Sequence, residues 1–136
     1  MKLTRDELIE KAKEARKLSY SPYSHFAVGA ALLCKDGTVY VGANIENSAY
    51  PMCMCAERNA LYRTLLSGYK TEDMVALGLC ADASEPPFPC GACRQVLSEL
   101  FPSDAPVIVF NTKRTKIVET SIRELLPYAF GKDSLK

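Results

Sequence analysis

Cys55-Ala56-Glu57 and Pro89-Cys90-Gly91-Ala92-Cys93 are the stretches on which the reading of this chain turns. The second is a C-x-x-C preceded by proline. In the first turn of a helix that spacing lets two sulfurs converge on one ion, with Gly91 and Ala92 keeping the turn open. Cys55 brings a third sulfur from a facing helix start. Three thiolates can hold a zinc ion and leave its fourth position open to water. Glu57, two residues after the first ligand, is then within reach of that water as a general acid/base. Both stretches follow loops, so they also mark where two helices begin.

Three thiolates on a divalent cation leave a net charge near minus one, which opposes the ionisation of a bound water. Two helix N-termini aimed at the sulfurs, each worth about half a positive charge, offset part of it. Arg94 directly follows Cys93, and Arg58 lies three residues after Cys55. Arg58 is the better placed to hydrogen bond a thiolate and draw charge from the metal. An alternative is a structural Cys₄ zinc site of Cys53, Cys55, Cys90 and Cys93. It leaves Glu57 and Pro89 without a role, although a carboxylate in a first helical turn is also favoured by the helix dipole alone. Cys34 and Cys80 lie in apolar runs and read as small buried hydrophobes.

The 136 residues suit a single domain, 1–136, with a core of its own. Seventeen basic and sixteen acidic residues nearly cancel, without a block of one sign. Neither a nucleic-acid surface nor an anionic-membrane surface is suggested. The opening MKLTRDELIEKAKEAR carries charge throughout and lacks the apolar stretch of a leader peptide. No run is apolar enough to span a bilayer. Six cysteines in a chain of cytoplasmic character point to thiols or metal ligands rather than disulfides.

Thr4-Arg5-Asp6-Glu7 is a capping-box pattern, and Leu8, Ala12, Ala15 and Leu18 recur at helical spacing, which predicts a helix over 5–18. Ser21-Pro22-Tyr23-Ser24 ends it. The apolar run 26–34, the Asp36-Gly37 turn signal and residues 38–41 predict a β-hairpin. A helix should start near Cys55 and stop at Gly68. Residues 74–80 read as a buried strand, and a proline-rich loop, 81–89, leads to a helix from about Cys90 that ends before Pro102. Strands over 107–110 and 116–119 follow, and Ser121 caps a short helix through Leu126. This order predicts an α/β fold, a three-layer α/β/α arrangement around a mixed five-stranded sheet.

Beyond the zinc motif, the chain resembles the short, homotetrameric cytidine deaminases over nearly its whole length. The resemblance is carried by Tyr20-Ser21-Pro22-Tyr23-Ser24, Phe26-Ala27-Val28-Gly29-Ala30-Ala31-Leu32, Gly42-Ala43-Asn44-Ile45-Glu46-Asn47, Cys55-Ala56-Glu57-Arg58, Pro89-Cys90-Gly91-Ala92-Cys93-Arg94-Gln95 and Leu125-Leu126-Pro127. The zinc motif alone fits a wider deaminase superfamily; Asn44-Ile45-Glu46-Asn47 narrows it.

The resemblance implies one zinc ion per chain and hydrolysis of cytidine and 2′-deoxycytidine to uridine and 2′-deoxyuridine, a pyrimidine-salvage reaction. It implies that Asn44 and Glu46 hold the ribose 3′-hydroxyl, that Phe26 packs on the pyrimidine, and that the Ala56 N–H reads the base carbonyl. Tyr50 and Phe130 match aromatics lent to the site by neighbouring subunits. Read alone, Asn44 and Glu46 make an ordinary polar turn, Phe26 starts an apolar strand, and Phe130 anchors a C-terminus. Ser48 stands where the family often has a small apolar residue, and His25 matches no catalytic position and reads as a surface loop residue.

A deaminase of blasticidin-S-type nucleoside antibiotics is the alternative activity, but the Asn44–Asn47 segment serves a ribose hydroxyl. Polynucleotide deamination would call for basic, aromatic-studded extensions, and a nucleotide substrate for an Arg/Lys cluster. A zinc-stabilised binding module without catalysis would bind metal and turn nothing over.

Overall fold

The computed structural model describes residues 3–135. The expected domain span and leader-free opening extend beyond these at residues 1, 2 and 136, which lie outside the described residues. The chain runs α1 (Arg5–Ala15), β1 (Val28–Cys34), β2 (Val39–Ala43), α2 (Ala56–Leu66), β3 (Met74–Ala81), α3 (Gly91–Leu100), β4 (Val107–Asn111), β5 (Ile117–Thr120) and α4 (Ile122–Leu125). The strands form one five-stranded sheet in the order β2-β1-β3-β4-β5. All neighbours are antiparallel except β3 and β4, so the sheet is mixed as expected.

Period-two alternation sorts the sheet into two faces. Ala31, Ala76, Cys80, Ile108 and Phe110 pack with Leu8, Ile9 and Ala12 of α1. Ala30, Leu32, Leu77, Leu79, Val107 and Val109 pack with Ala60 and Leu61 of α2, Leu97 of α3 and Ile122 of α4. The result is three layers, α1 on one side and α2, α3 and α4 on the other. Cys34 and Cys80 are buried in these two cores, and burial pushes both thiols up to about 11.

Caps end the elements where the sequence signals them. Thr4 Oγ1 accepts from the Glu7 N–H, and Ser121 Oγ accepts from the Glu124 N–H. Gly68, with φ +98°, closes α2. Several boundaries shift; β2, for one, continues to Ala43. The first helix tightens into a 3₁₀ turn over Arg16–Leu18. β1 starts at Val28 rather than Phe26, because side chains take the polar groups of the Phe26 backbone in place of a neighbouring strand.

Tight packing at glycine seats the helices. A Cβ on Gly42 of β2 would lie 2.5 Å from both the Ala56 carbonyl oxygen and the Ala60 nitrogen of α2. The first turns of α2 therefore press directly on the sheet. Asn59 Nδ2 donates to the Ala43 carbonyl at 2.8 Å, and Arg63 Nη1 to the Val41 carbonyl at 2.9 Å. These bonds pin α2 along β2 and cover backbone acceptors of an edge strand.

Candidate active site

Cys55 is the N-cap of α2 and Cys90 the N-cap of α3, each with extended backbone and no side-chain cap hydrogen bond. The two helix starts meet beyond the carboxyl end of β3, the usual position for a site in an open α/β sheet. The sulfurs of Cys55, Cys90 and Cys93 lie within 4.8 Å of one another. Cys55 Sγ is 3.8 Å from Cys90 Sγ, and Cys90 Sγ is 3.5 Å from Cys93 Sγ. A disulfide needs about 2.05 Å. A tetrahedron with metal–sulfur arms of about 2.3 Å has edges of about 3.8 Å. The donor set therefore fits one zinc ion. Cys53 stands apart from this cluster: its sulfur accepts from the Asn47 N–H at 3.2 Å.

The electrostatics call for a cation at the same place. Hydrogen bonding from Cys93, then from Arg58 and Cys90, outweighs burial and brings Cys55 down to about 5. Cys93 is pushed far above the usual thiol range, first by its hydrogen bond to Cys55 and then by burial. One thiolate thus opposes the next unless a metal shares their charge. Arg58 Nη2 donates to Cys55 Sγ at 3.6 Å, the contact expected of it. Arg94 turns away: its Nε donates to the Pro89 carbonyl at 2.7 Å and its Nη1 to the Leu125 carbonyl at 2.9 Å. It ties the C-x-x-C loop to α4 and does not neutralise sulfur.

Glu57, in the first turn of α2, is only 5% exposed. Burial pushes its carboxyl up to about 7, the Cys55 thiolate adding to the rise and Arg58 opposing it. A carboxyl in that range can both take and give a proton at neutral pH. Ala56, buried beside it, has a first-turn N–H of the kind left without an intrahelical acceptor.

Asn44 and Glu46 lie between β2 and α2, against the loop that precedes β1. Asn44 Oδ1 accepts from the Val28 N–H at 2.9 Å and from Ser19 Oγ at 2.6 Å, and its Nδ2 donates to the Phe26 carbonyl at 2.8 Å. Glu46 Oε1 accepts from the N–H groups of Tyr23 and Ser24 at 3.0 and 3.1 Å, and Oε2 accepts from the Ser24 hydroxyl. These bonds, the Ser24 hydroxyl first, hold the Glu46 carboxyl below its ordinary value. Among the described residues, one Asn44 N–H and one acceptor position on Glu46 Oε2 are left over. Phe26 is exposed.

Tyr50 and Phe130 are 71% and 59% exposed and lie outside the thiolate cluster. Tyr50 meets Tyr23 edge to face at 6.5 Å. The Phe130 carbonyl accepts from Gln95 Nε2 of α3 at 2.8 Å, which ties the C-terminal segment to the helix bearing two of the sulfurs. Sequence reading missed the role of His25. Its φ of +56° places it in the left-handed region, where histidine is among the better-tolerated non-glycine residues. It also missed Ser24 as a partner of Glu46, and Arg94 as a loop tie.

Residues 3–109 match the family model described as the cytidine and deoxycytidylate deaminase zinc-binding region. The chain is 48% identical over 130 residues to a cytidine deaminase of Sporosarcina psychrophila, covering 96% of this chain and 93% of that one. It is 47% identical over 133 residues to a cytidine deaminase of Halalkalibacterium halodurans, covering 98% of each. The crystal structure of cytidine deaminase from Burkholderia pseudomallei superposes with a TM-score of 0.91 at 44% identity, covering 94% of this chain and 100% of that one. With the thiolate cluster, the fold and the matched zinc-binding region in agreement, the chain belongs to the cytidine and deoxycytidylate deaminase family.

Proposed function

We propose that this protein is a zinc-dependent hydrolase that converts cytidine and 2′-deoxycytidine to uridine and 2′-deoxyuridine with release of ammonia, as in pyrimidine salvage. The observation that carries this reading is the buried Glu57 carboxylate two residues beyond Cys55, beside a thiolate cluster that fits one zinc ion. Zinc held by Cys55, Cys90 and Cys93 supplies Lewis acidity that makes a water nucleophilic at neutral pH. Glu57 is the proton carrier. Its carboxylate takes a proton from the attacking water and passes it to the ring nitrogen N3. It then carries the remaining proton of the new C4 hydroxyl to the departing amino group, so that a C4 carbonyl replaces the C4–N bond and ammonia leaves. Arg58, donating to Cys55, draws negative charge from the sulfur side of the site.

The leftover Asn44 N–H and Glu46 acceptor position complement one hydroxyl, which accepts from the first and donates to the second. This supports their assignment to the ribose 3′-hydroxyl. Phe26 offers a ring face to the pyrimidine, and the Ala56 N–H is suited to the base carbonyl. The whole chain acts as one catalytic domain. It assembles as a homotetramer in which Tyr50 and Phe130, both prominently exposed, complete neighbouring sites. The cytoplasm suits it, because all six cysteines are free and a reducing compartment keeps them as ligands and thiols.

Zinc-loaded Glu57→Gln protein tests the reading. It should keep its metal and melting temperature and lose turnover by more than about 10²–10⁴-fold, since Glu57 serves several proton transfers. Near-normal turnover in this variant would contradict the mechanism.

A further inference from the structure

The Phe26 backbone is held directly by Asn44 and, through Ser24, by Glu46, the two side chains assigned to the sugar. The Phe26 carbonyl accepts from Asn44 Nδ2 at 2.8 Å. The Phe26 N–H donates to Ser24 Oγ at 3.0 Å, and that hydroxyl donates to Glu46 Oε2. His25, with φ +56°, turns the chain so that the Phe26 N–H points back at Ser24. One hydroxyl thus bridges a carboxylate and the peptide that carries an exposed aromatic ring.

We infer that Ser24 is a positioning residue that couples sugar recognition to base recognition, an inference that rests on the nucleoside reading above. The Glu46 carboxylate, already held by the Tyr23 and Ser24 N–H groups, gains its last partner when a sugar hydroxyl engages Oε2. The fixed carboxylate fixes the Ser24 hydroxyl, and that hydroxyl fixes the Phe26 peptide from one side while Asn44 holds it from the other. Ordering of the ring platform is then shared with ordering of the sugar contacts. Such a network is worth more than the sum of its separate bonds, and the excess appears as non-additivity. A Ser24 that only stabilised its loop would weaken every substrate equally.

The test crosses two enzymes with two substrates: zinc-loaded wild type and Ser24→Ala, each with cytidine and 3′-deoxycytidine. In the wild type, removing the 3′-hydroxyl should lower kcat/KM. In Ser24→Ala that penalty should shrink by on the order of tenfold, with the change mainly in KM. Ser24→Thr, which keeps the hydroxyl, should restore the wild-type penalty. Should the alanine variant not fold, Ser24→Cys, a near-isostere with a weak donor, makes the same comparison. An equal 3′-hydroxyl penalty in wild type and variant, or a threonine variant that behaves like alanine, would overturn the inference. Wild-type protein inactive on cytidine would instead overturn the proposed function, so the two failures are distinguishable.

Discussion

Three sulfurs within 4.8 Å of one another are the residue-scale fact on which the site depends, and a fourth thiol, Cys53, sharpens it. Cys53 hydrogen bonds to the Asn47 backbone and stands outside the cluster. Cys53→Ala should therefore leave one zinc per chain, whereas Cys55→Ala should lose it; metal analysis of purified variants checks this, and the reverse result would remove the ligand assignment. Arg58, three residues after Cys55, donates to sulfur, whereas Arg94, directly after Cys93, donates to the Pro89 carbonyl. Arg58→Ala should lower kcat more than it raises KM, because its contact is with the metal site. Steady-state kinetics showing a change in KM alone would assign it to substrate binding. The cysteines that cluster were readable because each of the two motifs, C-x-E and P-C-x-x-C, is local. The sequence did not reveal the destination of Arg94, which is a carbonyl in a segment brought near only by folding.

At the scale of elements, the local signals were legible: caps at Thr4 and Ser121, a glycine stop at Gly68, and apolar runs at the strands. The parallel pairing of β3 and β4 and the sheet order were not, since both depend on contacts between distant segments. The same limit hid the bridge from Ser24 to Glu46 and the clamp on Phe26. The approach of α2 to β2 at Gly42 links packing to chemistry. A Cβ there meets backbone atoms of the helix that carries Cys55 at its cap and Glu57 in its first turn. Gly42→Ala should cost roughly 1–3 kcal/mol through overpacking and should weaken zinc retention in a chelator competition. An alanine variant with unchanged melting temperature and unchanged zinc retention would show that the helix yields without moving the site.

For the whole molecule, the proposed assembly turns on Tyr50 and Phe130, two of several large apolar residues that are exposed in one chain. If neighbouring subunits complete the site, sedimentation should give a tetramer, and Phe130→Ala should raise KM for cytidine several-fold while leaving zinc content unchanged. A fully active monomer would contradict the shared site. Among the described residues no helix is long and apolar enough to cross a membrane. The most direct test of the central claim is an ultraviolet absorbance assay of the purified zinc-loaded protein with cytidine, 2′-deoxycytidine, cytidine monophosphate, cytosine and adenosine. The two cytosine nucleosides should be converted with stoichiometric ammonia release, the other three should turn over far more slowly, and metal removal should abolish activity; tight zinc binding with no turnover of either cytosine nucleoside would refute the proposed deamination.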